Sequence, residues 1–591
     1  MIEQFFTSWD GGRLFYRGWL PEKQPLQSQA RALLLFHRGH EHSGRFAELA
    51  GRLGLDDFSV FAWDARGHGR SSGERGWAGS FACLVRDADC FARHVVREHG
   101  IALQNVAVVA HSVGAVIAAA WVHDYAPPIR AMVLASPAFR VKLYVPFALP
   151  FLRLQRRVRP KAYVTSYVRP GMLTHDRAES QSYARDPLIS RAVSVNLLVD
   201  MYDTAARIVT DAAAICTPTL VLSARKDYVV RLGPQREFFR RLGAPRKEMR
   251  EYEGFCHDIW HERDRSWPIA HTRDFLARVF EEPLDHALFA SHQADYEKLS
   301  RRPPRLSPAG LMWGAQRLFL KTAGRLSSGI STGWSRGFDS GDSLDYVYRN
   351  RAEGITPLGR LIDRVYLNSP GWRGIRQRRA HVEELLLQAI GQVRAAGRPV
   401  HIFDPAAGSG RYVIETVSRL GGEPVNILLR DWNPANAEAA SRLARERNVG
   451  NLTAEQGDAF DRRALAGVRP RPAIAIVSGL YELFPDNARV RESLLGLADA
   501  VDEEGYLIYT NQPWHPQLEM IARVLDNREG RPWVMRCRSQ AEMDALVAGA
   551  GFEKLETRMD PDGIFTVSLA RRRAPAGQLE TGLSRASIEP T

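Results

Sequence analysis

The chain has 591 residues, of which 45% are hydrophobic and 25% are charged, and its formal net charge is +13. This length is too great for one hydrophobic core, so the sequence predicts two domains plus connections. Five scattered cysteines without a C-x-x-C pair argue against a disulfide framework or a zinc site. We expect a cytoplasmic protein, because neither a signal-peptide pattern nor an apolar run of membrane-spanning length is visible.

Residues 1–285 alternate between strand-like and helix-like segments, which predicts an α/β fold with a parallel sheet. Each strand-like segment ends in a polar or glycine-rich loop. Such loops lie at the carboxyl ends of strands, where α/β proteins build their sites. The segments are ALLLFHRG, SVFAWDARG, NVAVVAHSVG, AMVLASPA and PTLVLSARKD.

The stretch AHSVG places Ser112 between a predicted strand and a predicted helix. A serine nucleophile requires this sharp turn, with small residues two positions to either side, and Ala110 and Gly114 are both small. Two stretches match G-x-S-x-G literally, GRSSG at 69–73 and GWSRG at 333–337. Neither lies between a strand and a helix in the predicted pattern, so we interpret both as coincidental and predict Ser112 as the nucleophile.

An acid and a base follow in the chain order of an α/β serine hydrolase. Asp227 follows the strand LVLSA, and His257 lies in a loop after the next strand. These residues can serve as the orienting carboxylate and the general base. We predict the backbone N–H groups of Gly39 and Val113 as the oxyanion donors. His37, His40 and His42 are interpreted as loop residues, and no metal site is predicted.

The segments HRGHEHSGRF, FAWDARGHGRSSGERG, FACLVRDADCF and AHSVGA occur in this order and resemble the monoacylglycerol lipase and lysophospholipase branch of the α/β-hydrolases. That branch is often labelled serine aminopeptidase-like, and the resemblance covers about residues 5–280. It implies an eight-stranded sheet and a cap over the site, at about residues 140–211. Arg38 stands where the branch usually has glycine, and Ala110 replaces the glycine of the elbow.

The predicted cap contains a basic and apolar stretch. Between Ala138 and Pro170 there are eight Arg or Lys residues and no acid. This composition suits an anionic membrane surface or an amphiphilic acyl-ester substrate. A solvated face of an arginine-rich protein explains it equally well. Nucleic-acid binding is disfavoured, because no recognisable binding module is present.

Residues 286–343 are rich in Arg, Ser, Gly and Pro, and we predict a linker with one short amphipathic helix, LMWGAQRLFLKTA. A second α/β alternation follows over residues 344–573. Residues 574–591 are polar and are predicted to be disordered.

The second alternation begins with a glycine-rich turn, HIFDPAAGSGRY, between a strand and a helix. Gly408 and Gly410 allow close approach of a nucleotide-like ligand to the backbone. Three acids, Asp404, Asp431 and Asp458, end successive strands. An acid at the second strand end can accept hydrogen bonds from ribose hydroxyls, and one at the third can accept from an adenine amino group.

This succession resembles the class I S-adenosylmethionine-dependent methyltransferases, which have a Rossmann-like fold. The resemblance implies that Asp404, Gly408 and Gly410 lie at the methionine part of the cofactor, Asp431 at the ribose and Asp458 at the adenine. A nicotinamide dinucleotide is the alternative ligand, but AAGSGR departs from G-x-G-x-x-G. Tyr481, Glu482 and His515 lie at later strand ends and are expected to be structural or to line the acceptor.

The sequence therefore predicts a two-domain α/β enzyme: a serine hydrolase of an acyl ester, resembling monoacylglycerol or a lysophospholipid, followed by an S-adenosylmethionine-dependent methyltransferase. Several alternatives stay open. The hydrolase half could be a peptidase or an acyltransferase, since the same triad permits both. One half could instead be a binding module without turnover. Peripheral contact with the inner membrane surface is a further expectation.

Overall fold

The structure is a computed structural model of the whole chain. It describes residues 1–22, 26, 29–282, 291–304, 306–421 and 424–573, so the predicted tail at 574–591 lies outside the described residues. The chain divides into two compact units, with the main division between His292 and Gln293. Within the described residues, no helix has an apolar segment long enough to span a bilayer.

The first unit is built on an eight-stranded sheet in the order β1-β2-β4-β3-β5-β6-β9-β10. The first two strands are antiparallel additions at one edge, and the strands from β4 to β10 along this order run parallel. A short antiparallel pair, β7 and β8, lies apart from this sheet. The strands are β1 Ile2–Thr7, β2 Arg13–Trp19, β3 Arg31–Phe36, β4 Phe58–Trp63, β5 Val106–His111, β6 Ala131–Ala135, β7 Tyr163–Thr165, β8 Ala192–Ser194, β9 Thr219–Ala224 and β10 Lys247–Tyr252.

Helices cover both faces of this sheet, which explains why its central strands are continuously apolar. Leu34 and Phe36 of β3 enter one core, whereas Leu33 and Leu35 enter the other. The insertion between β6 and β9 contains the β7–β8 pair and three helices, in the place predicted for the cap. The helices of this unit are α1 Ala47–Arg52, α2 Phe81–His99, α3 Val113–Tyr125, α4 Ala148–Val158, α5 Arg177–Arg185, α6 Val195–Thr210, α7 Leu232–Arg241 and α8 Ser266–Glu281.

The described part of the predicted linker is largely helical, which corrects the expectation of one short helix. Its serines begin helices: Ser307, Ser327 and Ser340 each accept a hydrogen bond from a backbone N–H of the first turn. Its glycines allow close packing, since a Cβ at Gly333 would lie 2.3 Å from the Phe338 ring. The helices of this region are α9 Ser291–Ser300, α10 Pro308–Lys321, α11 Ser328–Arg336 and α12 Gly341–Arg349.

The second unit is built on a seven-stranded sheet in the order β13-β12-β11-β14-β15-β17-β16. The run from β13 to β15 is parallel, and β17 lies antiparallel to β15. The strand order reverses between β11 and β14, which is where open α/β sheets bind ligands. The strands are β11 His401–Asp404, β12 Asn426–Asp431, β13 Leu452–Gln456, β14 Ile474–Val477, β15 Tyr506–Asn511, β16 Phe552–Met559 and β17 Thr566–Arg572.

Two cores enclose the second sheet. Ile402 of β11 packs in one core and Phe403 in the other. Two lead-in helices come before β11, and the others follow its strands. They are α13 Pro357–Leu367, α14 Pro370–Ala395, α15 Arg411–Val417, α16 Pro434–Glu446, α17 Arg462–Ala466, α18 Asn487–Ala500, α19 Leu518–Val524 and α20 Gln540–Gly549. The fold class is therefore as predicted: an α/β-hydrolase fold with a cap, followed by a Rossmann-like class I methyltransferase fold.

Candidate active sites

Ser112 occupies the turn between β5 and α3 with φ 54° and ψ −110°. This backbone conformation is strained for a residue with a side chain, at a cost of about 1–3 kcal/mol. The surroundings enforce it, because a Cβ at Gly114 would lie 2.4 Å from the Phe36 carbonyl oxygen. The side chain of Ala110 is fully buried, so this position also accepts only a small residue.

The structure brings the predicted triad together. The Oγ of Ser112 lies 2.9 Å from Nε2 of His257, and Nδ1 of His257 lies 2.8 Å from Oδ2 of Asp227. The other carboxylate oxygen of Asp227 accepts hydrogen bonds from the backbone N–H groups of Val229 and Val230. All three triad side chains are buried. A proton path from serine to imidazole is therefore in place, and the acid that orients the imidazole is itself fixed.

Asp227 is held in its ionised form. Burial by itself would raise its pKa, but the charge and hydrogen bond of His257 and the two backbone N–H donors outweigh burial and lower it. A carboxylate beside Nδ1 stabilises the imidazolium that forms when the base takes a proton.

His111, the residue before Ser112, packs against His257, the predicted base. Its ring stacks on that of His257 with a centroid separation of 5.4 Å, and its Nε2 lies 3.1 Å from the His257 carbonyl oxygen. Burial lowers the pKa of His111 to about 4, so the ring is neutral at pH 7. The sequence predicted no role for His111, although it lies within AHSVG.

The predicted oxyanion donors lie next to each other. A Cβ at Gly39 would be 3.2 Å from Cγ2 of Val113. The N–H of Val113 begins α3 and has no partner within that helix, and that of Gly39 donates to no group in the described residues. His40 follows with φ 74°, so the loop is strained at this point as well.

Arg38 does not occupy the donor position, because its side chain turns into the protein. It forms ion pairs with Glu41 at 2.7 Å and with Asp258 at 3.4 Å. Its guanidinium also lies over the ring of Tyr183 in the cap. Burial opposes the charge of Arg38, but the carboxylates of Glu41 and Asp258 raise its pKa. Arg38 thus joins the oxyanion loop to the loop of His257 and to the cap.

A narrow cavity runs from the oxyanion loop to the cap and is mainly apolar. The histidines that line it are neutral at pH 7, because burial lowers the pKa of His37 and His68 to about 4 and that of His40 to about 3. The cap is tied to this region where the N–H of Ser194 donates to the Gly76 carbonyl. The apolar lining comprises Trp63, Ala65, Phe81, Leu84, Val113, Ile117, Ala192, Val193, Leu197, Leu198 and Met201.

A cap histidine is anchored beside the catalytic loop. His175, Cys256 and Glu262 are the one group in the described ranges whose donor atoms lie close enough to hold a metal ion. The Glu262 carboxylate already accepts from the backbone N–H of Cys256 and from that of His175, and it lies 2.9 Å from His175 Nδ1. The ammonium of Lys226 lies 3.4 Å from His175 Nε2. We therefore assign the group to cap attachment.

The two literal G-x-S-x-G stretches have structural roles. Ser71 of GRSSG accepts a hydrogen bond from the Phe15 N–H and lies in a loop. Ser335 of GWSRG is within α11 and exposed. Neither serine precedes a helix in a strained turn, so the interpretation of both as coincidental agrees with their placement.

In the second unit, the glycine-rich turn joins β11 to α15 at the sheet edge. Gly408 and Gly410 have φ 58° and 61°, in the left-handed region that favours glycine. A Cβ at Gly408 would meet no atom within 4 Å, whereas one at Gly410 would lie 2.3 Å from Leu429. The backbone at Gly408 is thus open to a ligand, and the N-terminus of α15 faces the same turn.

Two of the predicted acids lie at the ends of the neighbouring strands. Asp431 accepts hydrogen bonds from the N–H groups of Gly408 and Asn433, at 2.9 Å each, and from the Asn436 amide. Asp458 accepts from the Phe460 N–H at 2.9 Å through one oxygen. Both acids are partly exposed. Asp431 therefore also orders the glycine turn, a role that the sequence did not indicate.

Asp404 is fully buried beneath the turn. One carboxylate oxygen accepts from the Ala406 N–H at 3.0 Å, and the other is hydrogen-bonded to the Tyr412 hydroxyl. Burial raises the pKa of Asp404 to about 7, and the nearby charge of Asp431 adds to this increase. Tyr412, the hydrogen-bond partner of this acid, was not among the residues predicted from the sequence.

The later strand ends carry a buried ion pair. Glu482 lies 3.1 Å from Arg378 of α14, and its second oxygen, Oε2, is buried with no partner in the described part of the chain. The Tyr481 hydroxyl is bonded to Ser493 and is structural. His515 is neutral because burial lowers its pKa to about 4. Glu482 was among the residues predicted from the sequence, whereas its partner Arg378 was not.

These arrangements define the class of protein. The first unit has the elbow, triad and sheet of an α/β serine hydrolase, and the second has the sheet and glycine turn of a class I methyltransferase. The family model described as "Serine aminopeptidase, S33" matches residues 27–264, and the model described as "Putative methyltransferase" matches residues 272–572. The chain belongs to this putative methyltransferase family. In this chain the methyltransferase domain follows a serine aminopeptidase-type hydrolase domain.

Known proteins show similarity to the whole chain and to its first half. Uncharacterized protein YnbC of Escherichia coli (strain K12) is 49% identical over 97% of this chain and 98% of its own. The monoacylglycerol lipase of Mycolicibacterium smegmatis is 25% identical over 46% of this chain and 97% of its own, and the human monoglyceride lipase is 29% identical over 43% and 82%. The crystal structure of Paleococcus ferrophilus monoacylglycerol lipase is 23% identical, covers 45% of this chain and 99% of that one, and gives a TM-score of 0.41.

Proposed function

We propose that the N-terminal domain is a serine hydrolase that cleaves an acyl ester, and that the C-terminal domain transfers a methyl group from S-adenosylmethionine. The observation that carries the first half is the continuous chain from Ser112 through His257 to Asp227, with 2.9 Å and 2.8 Å between the bonded atoms. The observation that supports the second half is the open glycine turn flanked by Asp431 and Asp458.

The triad geometry suits a two-step acyl transfer. As Ser112 Oγ attacks the ester carbonyl carbon, His257 Nε2 takes the hydroxyl proton and Asp227 stabilises the imidazolium. The N–H groups of Gly39 and Val113 then stabilise the negative charge on the carbonyl oxygen, and each such donor contributes about 10²–10³ in kcat. The leaving alcohol receives the proton from His257. A water molecule then gives a proton to His257 Nε2 and attacks the carbonyl carbon of the acyl-Ser112 ester. The ester bond to Ser112 breaks, the carboxylic acid is released, and the proton returns from His257 to Ser112 Oγ.

The apolar cavity supports a monoacylglycerol- or lysophospholipid-like substrate. It begins at Gly39 and Val113 and is lined by cap and core residues such as Leu197, Met201 and Phe81. Burying a long acyl chain there would contribute about 0.8 kcal/mol per CH₂ group. Relatives of this half are named monoacylglycerol lipases, which supports the same substrate class. A peptidase would require polar subsites for a peptide backbone, and this lining does not favour them.

A chain-length series of monoacylglycerols and lysophospholipids tests the hydrolase. We expect hydrolysis that increases with acyl length and is lost in Ser112→Ala but retained in Ser335→Ala, the serine of the literal motif in α11. Hydrolysis of short and long chains at equal rates would contradict the assignment of the cavity. Transfer of the acyl group to an added alcohol in preference to water would favour an acyltransferase.

The residues of the second site fit S-adenosylmethionine. The cradle at Gly408 has room for a ligand, and the partly exposed carboxylates of Asp431 and Asp458 can accept hydrogen bonds from ribose hydroxyls and an adenine amino group. The bound cofactor would supply an activated methyl group. The chain's own residues therefore need to align the acceptor rather than act as strong bases. The unpartnered Glu482 Oε2 is available to accept a hydrogen bond from an acceptor N–H or O–H.

Calorimetry with S-adenosylmethionine and NADH tests the cofactor. We expect binding of S-adenosylmethionine that weakens in Asp431→Ala, with no comparable effect of Asp562→Ala, an acid in the turn between β16 and β17. Binding of NADH alone would contradict the proposal. S-adenosylmethionine binding without methyl transfer to any acceptor would leave a sensor as the function of this half.

The cap has exposed aromatic and cationic side chains that suit contact with an anionic membrane. Such a contact would bring a lipid ester to the cavity. Phe147 and Phe151 project into solvent at α4 with 85% and 64% exposure. Two of the eight cationic residues, Arg153 and Arg156, pair with acids of α6, so the remaining six provide the charge. Vesicles containing phosphatidylglycerol should bind the chain at low salt and release it at high salt. Binding that is equally strong at high salt would contradict an electrostatic contact.

A further inference from the structure

The second unit has an apolar surface of its own, mainly on the helices α10 and α13. Its members are all more than half exposed, and we refer to them as the outer helical face. They are Leu306, Leu311, Met312, Leu318, Phe319, Ile355, Leu358, Leu361 and Val365. Most lie on α10 and α13, which pack against the same short turn at Ala323–Leu326.

The helix α10 carries this face outward, because its opposite side is attached to the domain. Arg317 donates to the Val524 carbonyl oxygen at 2.5 Å and pairs with Asp526 at 2.6 Å. The Leu320 carbonyl accepts from the Trp334 indole. Leu311, Met312, Leu318 and Phe319 are spaced at i, i+1, i+7 and i+8 and form one stripe on the solvent side.

In α13, too, the side that packs on the domain makes polar contacts and the exposed side is apolar. Asp363 is fully buried, and one of its oxygens accepts from the Ser327 hydroxyl at 2.5 Å and from the Gly329 N–H at 3.1 Å. Leu358, Leu361 and Val365 are spaced at i, i+3 and i+7 on the opposite side. In both helices the anchoring contacts are polar and the free side is apolar, the reverse of a water-facing helix. Exposed apolar faces of this kind mark interaction sites.

The charge around the face selects its occupant. From residue 301 to 338 the sequence has no Asp or Glu, and its seven cationic residues are Arg301, Arg302, Arg305, Arg317, Lys321, Arg325 and Arg336. Arg317 and Arg336 pair with Asp526 and Asp342, so the other five provide the charge. Two further exposed arginines, Arg360 and Arg364, lie on α13. A second copy of a chain with net charge +13 would bring like charges together. Phe319 is the one aromatic member of the face, so nucleic-acid bases would find little stacking surface there.

We infer that the outer helical face binds the surface of an anionic phospholipid bilayer, with its apolar side chains at the level of the headgroups and its cations on the lipid phosphates. The contact holds the methyltransferase unit at a membrane through residues of its own. It stands apart from the cap contact and from both proposed activities, since none of its residues lies in the triad, the cavity or the glycine turn.

Vesicle co-sedimentation of the full chain tests this inference in a background that disables the cap, Phe147→Ser with Phe151→Ser. We expect this background protein to bind vesicles of phosphatidylcholine with phosphatidylglycerol and not vesicles of phosphatidylcholine alone. Adding Leu318→Ser, Phe319→Ser and Leu361→Ser should lower binding about tenfold or more. Leu387→Ser changes an exposed leucine of α14 outside the face and should leave binding unchanged.

Three results would overturn the inference. The background protein could fail to bind anionic vesicles, or the substitutions on the outer helical face could leave binding unaltered. Light scattering without lipid could also show a dimer that the same substitutions dissociate, which would assign the face to a second copy. Because all three substitutions are at exposed positions, an unchanged thermal unfolding profile serves as the control for folding.

Discussion

The guanidinium of Arg38 lies 4.7 Å from the centre of the Tyr183 ring, so a residue of the oxyanion loop supports a residue of the cap. The same guanidinium pairs with Glu41 and Asp258, two side chains that are themselves buried. Since Asp258 directly follows His257, the predicted base, the Arg38 guanidinium links the predicted oxyanion loop, the loop of His257 and the cap.

Arg38→Gly restores the residue usual at this position in similar hydrolases, yet we expect it to be harmful. It would leave the carboxylates of Glu41 and Asp258 buried without their cation, a loss of about 3–5 kcal/mol in the free energy of unfolding. Urea unfolding measures this directly. Arg52→Ala removes a half-exposed arginine from a surface pair with Glu48 and should cost about 0–1 kcal/mol. Equal effects of the two substitutions would contradict the proposed role of Arg38.

Gly114→Ala should abolish ester hydrolysis and destabilise the hydrolase domain. The new Cβ would lie 2.4 Å from the Phe36 carbonyl oxygen and 2.5 Å from that of His37, and neither backbone group can move without disturbing the sheet. Gly51→Ala in α1 is the matched change, since its Cβ meets nothing within 4 Å, and we expect a gain of about 0.5–1 kcal/mol there. Full activity in Gly114→Ala would show that the elbow is less crowded than described.

Asp227→Asn should lower kcat for ester hydrolysis by about 10⁴, because the amide can favour the wrong imidazole tautomer.

The ionised Asp227 should also make the stability of the hydrolase domain depend on pH, with a definite sign. The pKa of Asp227 is lowered in the folded state, so its contribution is complete above the ordinary aspartate pKa and is lost as the pH falls through the folded value. In Asp227→Asn the decrease in the free energy of unfolding at acid pH should therefore be smaller than in the wild type. An unchanged acid unfolding profile would contradict the charge pairing with His257.

Asp404 has the opposite pH dependence. Its pKa is raised to about 7, so the folded state binds a proton that the unfolded state releases at about pH 4. The ligand-free methyltransferase domain should therefore become less stable as the pH rises from about 4 to 7. Thermal unfolding across this range should show the decline in the wild type and a flatter profile in Asp404→Asn. A profile that rises equally in both proteins would indicate that Asp404 is ionised throughout.

Trp432 directly follows Asp431, a residue of the proposed cofactor site, and its side chain is 72% exposed. If it covers the bound adenine, Trp432→Ala should weaken S-adenosylmethionine binding by about 1–3 kcal/mol, the usual loss for an aromatic–base stack. Calorimetry provides the affinity. Trp267→Ala alters a tryptophan of α8 in the other domain that is 60% exposed, and it is expected to have no effect. Identical affinities in all three proteins would exclude Trp432 from the site.

The sequence pointed to three residues that the structure places in one hydrogen-bonded chain, because the evidence for each residue is local. Each of Ser112, Asp227 and His257 follows a strand of the parallel part of the sheet, and parallel strands bring such ends to one edge of the sheet. Asp404, Asp431 and Asp458 were located by the same logic. The partners of Arg38 could not be predicted, since Asp258 is 220 positions away and its contact depends on the packing of three loops. His175 and Glu262 raise the same difficulty across the cap.

The predicted linker shows where composition misleads. Serine, glycine and proline are typical of linkers, but here Ser307 and Pro308 begin α10, and Gly333 admits the Phe338 ring. Only the tertiary packing distinguishes a capping serine from a flexible one. The exposed position of the apolar side of α10 could not be predicted either, because an amphipathic pattern alone does not say which side of the helix is buried.

Labelling with a fluorophosphonate probe, followed by peptide mass spectrometry, tests the central claim most directly. The probe reacts with a serine activated by a neighbouring base. We predict a single modified residue, Ser112, with labelling lost in Ser112→Ala and strongly reduced in His257→Ala, while Ser71→Ala and Ser335→Ala label normally. Labelling at another serine, or labelling that persists in Ser112→Ala, would contradict the assignment of the N-terminal domain as a hydrolase acting through Ser112.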